Sequence, residues 1–371
     1  MKRKVLFVAT VLRGHVLVFH LPYMKWFQEQ GYEVHLCCRN DTPDPDVTVP
    51  YCDRFIELPF ERSPLNKANL GVYKQLKALI DQENYALIHC NTPVGGMLGR
   101  LCARAARKKG TKVVYTAHGF HFFSGAPLKN WLLFYPAERF LSRFTDLLIT
   151  INGEDYHRAQ KFHAKKTALV NGVGVDLTRF EQPVDRLAAR SELGLKADTP
   201  IVICVGEHSV RKNHETVLRT AAQLPDVHVL FCGVGEKEEE LGALARELDI
   251  ADRVHFLGFR KDVPTLLAAS DVFMFPSWQE GLPVSQMEAM AAGLPCVVSE
   301  VRGNADLISQ GEGGFLRKPT DADGFAEDIA LLLGDPALRE SMGARNRREI
   351  ENYSLDAVLA QVTALYEELL K

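Results

Sequence analysis

DVFMFPSWQEGLPVSQMEAMAAGLPCVVSE, residues 271–300, holds in one stretch the unit from which the whole chain is built. After its first residue the run 271–275 is continuously apolar: long enough for a strand buried on both faces, too short for a helix. Pro276 ends it, and a loop carrying Glu280 follows. Pro283 suits the first turn of a helix, because the N–H it lacks is one that a helix start leaves unpaired anyway. SQMEAMAAG continues that helix, and PCVVSE is the next apolar strand. Near-continuous apolar strands joined through helices predict a parallel sheet covered on both faces.

Outward from this unit the same alternation repeats. Toward the N-terminus of the second half lie PIVICVG, a helix over 213–223, VHVLFCG, a helix over 236–248, RVHFLG and a short helix over 262–269. GGFLRKP is a further strand. The first half reads KVLFVAT, the helical HLPYMKWFQEQG ending at Gly31, YEVHLCC, DRFIELPF, a helix over 70–84, ALIHCN, a helix over 94–109, KVVYTAHG and DLLITIN. Around 165–198 the pattern weakens, and NGVGVDLTRFEQPVDR, rich in Gly, Asp and Pro, reads as a linker. LDAVLAQVTALYEELL, 355–370, is a long amphipathic helix. With 371 residues and about 150 per domain as a prior, the chain is expected to form two α/β doubly wound domains. The expected boundaries are 1–168 with the C-terminal helix 355–371, and 169–354.

The composition is that of a globular protein, 46% apolar and 25% charged. No window approaches the roughly 18 apolar residues of a membrane span. The start, MKRKVLFVAT, is basic, but LRGH cuts the apolar run at once, so it reads as an opening strand and the protein is expected in the cytoplasm. None of the eight cysteines forms a CxxC pair, and six sit in or beside β-like runs, which predicts buried free thiols and no zinc site. Net charge is −3, yet residues 1–180 carry 25 Lys and Arg against 15 Asp and Glu. Such an excess points to an anionic partner for the first half, or simply to two solvated surfaces of different composition.

Ligands of doubly wound sheets bind beyond the carboxyl ends of the strands, so the loops there carry the chemistry. At 281–285 the amides near Gly281, Leu282, Val284 and Ser285 stand at a helix start, where unpaired donors and the dipole favour an anion. Gly281 lets a ligand approach closely. Glu280 and Glu288 would repel a phosphate, so they read as acceptors for hydroxyl donors. A nucleotide sugar offers hydroxyls on both sides of its diphosphate.

The Glu280-x7-Glu288 spacing, with PSWQEGLP before and EAMAAGLPCVVS after, resembles the donor motif of retaining glycosyltransferases of family 4, which have the GT-B fold of two Rossmann-like domains facing a cleft. NGVGVDLTRF resembles that family's linker, GVGEKEEEL its second glycine turn, and VHFLGFRKDVPTLLAASDVF the approach to the motif. The resemblance covers essentially the whole chain. It implies that Glu288 binds the ribose diol, Glu280 lies near the donor sugar, and the 281–285 amides meet phosphate and sugar. It implies that the loop after PIVICVG, with Gly206, Ser209, Arg211 and Lys212, neutralises the diphosphate through Lys212. The family often has an arginine directly after the glycine, where this chain has Glu207, so one usual cation is missing unless Arg211 replaces it. Phe259 and Arg260 would hold the base. His118, after KVVYTA, would face the donor sugar, and the catalytic candidates are His118, Glu280 and Lys212. Gly14 in TVLRGHV is a close-approach point for phosphate and acceptor, or a plain βα turn.

His121 invites a metal reading beside His118, but no convergent third ligand is evident, so no metal and no cofactor are expected. Asp44-Pro45-Asp46 has the form of the metal-binding motif of the other major glycosyltransferase fold, but lies in a Pro-rich loop and is rejected. The stretch APLKNWLLFYPAERFLSRFTD, 126–146, mixes Trp131, Leu132, Leu133, Phe134, Tyr135, Phe140 and Phe144 with Lys129, Arg139 and Arg143. It reads either as a core helix or as a helix lying on an anionic membrane surface. TAHGFHFF through DLLITIN also resembles bacterial enzymes that assemble capsular, exopolysaccharide or lipid-linked oligosaccharide chains. The expected partners are therefore a nucleotide sugar, UDP-linked by preference, and a glycan or polyprenyl-diphosphate-linked acceptor. The expected location is cytoplasmic, peripheral on the membrane. A nucleotide-sugar epimerase on the same fold and a non-catalytic nucleotide-binding module are the alternatives. No nucleic-acid motif is present.

Overall fold

The computed structural model describes residues 2–371. Two compact units divide the chain: residues up to Val173 together with Val358–Lys371, and Gly174–Ala357. The boundaries thus fall five residues later than the expected 168/169 and three later than the expected 354/355. Continuous strand and helix contacts, rather than composition, set them.

In the first unit seven parallel strands form one sheet: β1 (Lys4–Val11), β2 (Glu33–Arg39), β3 (Arg54–Glu57), β4 (Tyr85–Asn91), β5 (Lys112–Ala117), β6 (Leu147–Thr150) and β7 (Lys166–Leu169). Their order is β3-β2-β1-β4-β5-β6-β7. In the second unit six parallel strands, β8 (Ile201–Val205), β9 (His228–Cys232), β10 (Val254–Phe256), β11 (Val272–Phe275), β12 (Cys296–Ser299) and β13 (Gly314–Arg317), are ordered β10-β9-β8-β11-β12-β13. In both sheets the order reverses beside the first strand. The crevice at such a reversal, beyond the carboxyl ends of β1 and β4 or of β8 and β11, is where this topology binds ligands.

The apolar runs make the strands because both faces of a parallel sheet are covered. Val5 to Ala9, Ile201 to Cys204 and Val272 to Phe275 are all buried. One strand escaped the sequence reading: β7 is an edge strand of four residues whose two ends are exposed, so it lacks the apolar run. The helix read over 94–109 is interrupted at Ala103, giving Pro93–Cys102 and Arg104–Lys108. The stretch read as linker contains a helix, Arg186–Glu192, whose first turn is capped by the Asp185 carboxylate accepting from Leu187 and Ala188 N–H. All eight cysteines are free, seven of them buried.

The last helix, Leu355–Leu370, brings Tyr366 into the first unit's core, where its ring meets Phe27 and Trp26 and its hydroxyl lies 2.7 Å from His89 Nδ1. A fully buried aromatic of this kind is worth about 3–5 kcal/mol against alanine. Tyr366→Ala should lower the stability of the first unit by that amount in urea titration. Tyr366→Phe should lose only about 1–2 kcal/mol, the hydrogen bond and its stranded imidazole partner.

Candidate active site

At the reversal point of the second sheet, the loops after β8 and β11 meet. The β8 loop makes a short 3-10 turn, Val210–Lys212, and then places Asn213 in the left-handed region at φ 56°. The Asn213 side chain donates to the Pro276 and Pro319 carbonyls, pinning this loop to the end of β11. That anchor sets the position of Lys212, whose ammonium is buried, 2.8 Å from Glu280 Oε1 and 4.4 Å from the centre of the Phe275 ring. Burial holds the Lys212 pKa below its ordinary value, with Glu280 opposing that shift. Arg211 reaches the same Glu280 oxygen at 3.0 Å and the Gln279 carbonyl at 3.0 Å. Glu280 thus sits between two cations, a pairing that neither residue's sequence context announced.

Arg302 donates to the Glu280 carbonyl at 3.0 Å and fixes the loop from the other side. Gly303, at φ +82°, allows that approach: a Cβ there would stand 2.7 Å from the Gly281 oxygen. The helix Val284–Ala291 follows with Pro283 at its cap, so Val284 and Ser285 supply its first amides. No side chain caps those amides. Gly281 is half-buried and Leu282 buried. Glu288, in the second turn, is buried and bonded at 2.6 Å to Arg179. Burial raises the Glu288 pKa and Arg179 partly offsets it. Arg179 comes from the stretch read as linker and was missed. Its signal was a lone cation inside the short turn, Leu177–Phe180, that Asp176 caps.

Gly206 lies on this floor, 3.5 Å from Lys212 Cε as measured from a would-be Cβ, and Ser209 Oγ is buried with no hydrogen-bond partner. Phe259 is 75% exposed beyond β10, and Arg260 is engaged with Asp262 at 2.7 and 2.5 Å. The Arg260 guanidinium is therefore oriented by Asp262, which leaves its flat faces for stacking. Glu207, directly after Gly206, is exposed.

The first unit contributes a separate constellation. His118 follows β5, and its loop is held by the Phe120 N–H on Asp155 Oδ2 at 2.9 Å and the Ser124 N–H on Glu154 at 2.7 Å. Gly14 sits in a π turn, Leu12–Val16, where a Cβ would meet nothing nearer than 3.8 Å, so the fold itself does not require glycine there. The neighbour of His118 is not His121 but His15, with ring centres 4.6 Å apart, and His20, at 5.7 Å. The expectation that no third ligand converges on His118 is thereby corrected: the β1 loop supplies two histidines from about a hundred residues earlier. His15 and His118 border a largely apolar cavity of about 640 Å³, with Met97, Phe122, Leu133 and Leu141 among its walls. Beneath it, fully buried Arg100 pairs with Glu138 and stacks on Tyr115 at 3.8 Å. Asp44 and Asp46 stay in a loop after β2, where Asp44 Oδ1 accepts from the Asp46 N–H.

The helix read over 126–146 spans Leu128–Leu141 and has two faces. Trp131, Phe134 and Tyr135 pack on the core, while Leu128, Leu132, Leu133 and Phe140 are exposed. Lys129, Arg139 and Arg143 are exposed as well. Among the described residues no helix is long and apolar enough to cross a membrane.

Residues 4–152 match the family model described as "Glycosyl transferase 4-like", and residues 185–349 match "Glycosyl transferases group 1". The chain is 40% identical to the Bacillus subtilis protein EpsD, whose name assigns it to the glycosyltransferases, over 99% of this chain and 97% of the relative. It is 30% identical to the Escherichia coli UDP-Gal:alpha-D-GlcNAc-diphosphoundecaprenol alpha-1,3-galactosyltransferase, over 86% of this chain and 84% of the relative. The fold is that of Anabaena Alr3699/HepE, crystallised with UDP and glucose: TM-score 0.82 at 20% identity, covering 99% of this chain and 100% of that one.

The Lys212–Glu280 pair makes a stability prediction of its own. Lys212→Met should cost about 3–5 kcal/mol, because it leaves Glu280 buried with only the half-exposed Arg211. Adding Glu280→Gln should recover part of that loss, so that the double variant unfolds at a higher urea concentration than Lys212→Met alone.

Proposed function

Since the chain belongs to the glycosyltransferase family of group 1 and 4-like enzymes with the GT-B fold, we propose that its donor is a UDP-hexose or UDP-N-acetylhexosamine. The acceptor is a polyprenyl-diphosphate-linked glycan, and the product a bacterial surface polysaccharide or its precursor. The observation that carries this reading is the convergence of Lys212 and Arg211 on Glu280, beside an uncapped helix start and a buried Glu288. Two cations and a set of free amides suit a diphosphate. Two carboxylates beside them suit the hydroxyls on either side of it.

The arriving diphosphate draws on the donors of Lys212 and Arg211 and so frees lone pairs of Glu280 for a sugar hydroxyl. Arg211 takes the part of the cation that Glu207 does not supply. Glu288 accepts from the ribose, and Phe259 with Arg260 flanks the base. Within the second unit Gly206 and Ser209 line the approach, and the roles that the resemblance implies for Gly14 and His118 of the first unit belong to the same proposal. As the glycosidic bond to the diphosphate lengthens, negative charge grows on the leaving oxygen, and the fixed cations and amides stabilise it. No divalent ion has a part in this step, so a chelator should not lower the rate.

The relative from Escherichia coli is named for a UDP-linked donor and a diphosphoundecaprenol acceptor, which supports the same classes here. The exposed apolar and basic face of Leu128–Leu141 supports docking on an anionic membrane surface, where such an acceptor resides. Nothing in these matches favours the epimerase alternative.

Two measurements test the reading. Calorimetry should show Glu288→Gln binding UDP more weakly, by about 1.5–3 kcal/mol for the lost charged hydrogen bonds. Because burial raises the Glu288 pKa, the carboxylate is present above that value and protonated below it. The gap between wild type and variant should therefore narrow as pH falls, beginning at a higher pH than for an ordinary glutamate. Equal affinities at neutral pH would remove Glu288 from the nucleotide.

The second measurement is stereochemical. In the first unit the carboxylates near His118 are committed to the fold, Asp155 to the Phe120 N–H and Glu138 to Arg100, whereas a diphosphate held by Lys212 and Arg211 takes the acceptor proton itself. That arrangement gives retention. NMR coupling at the new anomeric carbon should show an α-linked product from an α-linked gluco- or galacto-configured donor. A β-linked product would overturn the mechanism and leave the donor site standing.

A further inference from the structure

His15, His20 and His118 each offer one ring nitrogen, and these nitrogens lie within 4.8 Å of one another. His15 Nε2, His118 Nε2 and both nitrogens of His20 are buried and have no hydrogen-bond partner. Buried polar atoms in folded proteins are almost always paired. This unit pairs its other buried histidines: His89 bonds Thr116 at 2.8 Å and Tyr366 at 2.7 Å, and His35 bonds Tyr85 at 2.8 Å and Glu33 at 2.7 Å. His208 and His214 in the second unit also have unpaired nitrogens, but no third ligand joins them among the described residues.

The ring centres are spaced about as a single ion requires, and the nitrogens, within 4.8 Å of one another, close to about 3.3 Å around a tetrahedral ion by small ring rotations. A zinc ion about 2.0–2.1 Å from each nitrogen stands about 3.2 Å from each ring centre, and tetrahedral angles then set the centres about 5 Å apart. Here the three separations are 4.6, 4.8 and 5.7 Å. The local backbone explains the juxtaposition. Residues five apart in a regular α-helix diverge by about 140°, but the turn after β1 is a π turn, closed by the Leu17 N–H on the Leu12 carbonyl. That wider turn brings positions 15 and 20 toward one face, and the loop after β5 adds His118.

We propose that His15, His20 and His118 form a binding site for Zn²⁺ or a similar late transition ion, with a fourth position open to the cavity. His20 is buried behind while His15 and His118 border that cavity, so three protein ligands leave one position for water or solute. Burial keeps the imidazoles neutral at pH 7, with His15 lowered to about 4, and the neutral ring is the form a metal binds. A bound ion occupies the His118 nitrogen, so zinc acts as an inhibitor. That consequence rests on the proposed role of His118 toward the donor sugar, whereas metal binding itself does not.

Co²⁺ tests the two parts separately, because four-coordinate Co²⁺ has intense visible absorption. Titration of the purified full-length enzyme at pH 7.5 should give those bands at one equivalent, and Zn²⁺ should bleach them. His15→Gln and His20→Asn should each weaken Co²⁺ binding at least about tenfold. Circular dichroism and UDP calorimetry on the same samples check that the variants are folded. Absence of the bands in wild type, or equal affinity in two folded variants, would overturn the site. Bands without inhibition of transfer by Zn²⁺ would leave the metal site standing and overturn its inhibitory role. Loss of UDP binding in wild type would instead count against the donor reading.

Discussion

An ammonium taken out of water must meet an anion or lose its proton, and at Lys212 that demand shapes the site. The lysine is 8% exposed, Glu280 is 6% exposed, and 2.8 Å separates them. For the pair to form, the β8 loop must turn back at Asn213, the β11 loop must be drawn in by Arg302, and Gly303 must leave room for the Gly281 carbonyl. Those are the same conditions that expose the amides at the start of Val284–Ala291. The pair is thus both a structural clamp and a charge reserve. Its cations are held in place before any anionic ligand arrives, so little reorganisation is left for the moment of reaction.

Elsewhere the two units bury charge by the same rule. Asp271 gathers Arg186 at 2.5 Å, Arg190 at 2.9 Å and the Ile201 N–H at 2.8 Å, locking the start of β8 to that of β11. Arg100, fully buried, is held by Glu138, the Gly96 carbonyl and the Tyr115 face. Against that background the unpaired histidines of the first unit stand out. His15 and His118 border the cavity with His20 behind them, and in the proposed metal site an ion rather than the fold completes them.

Much of this architecture was legible because parallel strands buried on both faces must be apolar throughout. Twelve of the thirteen strands were legible in the sequence, the central ones as apolar runs buried on both faces, and the exposed edge strand β7, Lys-Thr-Ala-Leu, was not. The helices Ala322–Gly334 and Pro336–Ile350 were not read, since they follow the last apolar strand and carry no motif. Within the site, Glu280 and Glu288 were read from helix-start chemistry and motif spacing, and Lys212 from the family resemblance. Their partners were not. Arg179 lies 109 residues from Glu288, and Lys212 lies 68 from Glu280, so only the sheet order brings them together. His15 and His20 were hidden for the same reason, and His121, adjacent in sequence, was the wrong neighbour to consider.

The central claim is that the loops after β8, β10 and β11 together hold the nucleotide. Hydrogen exchange of the full chain with and without UDP reads each loop separately. Slowed exchange should appear in peptides covering 206–213, 258–262 and 280–288, while the strand cores of the second sheet stay unchanged. Slowing confined to the first unit, or spread evenly over both, would contradict the account.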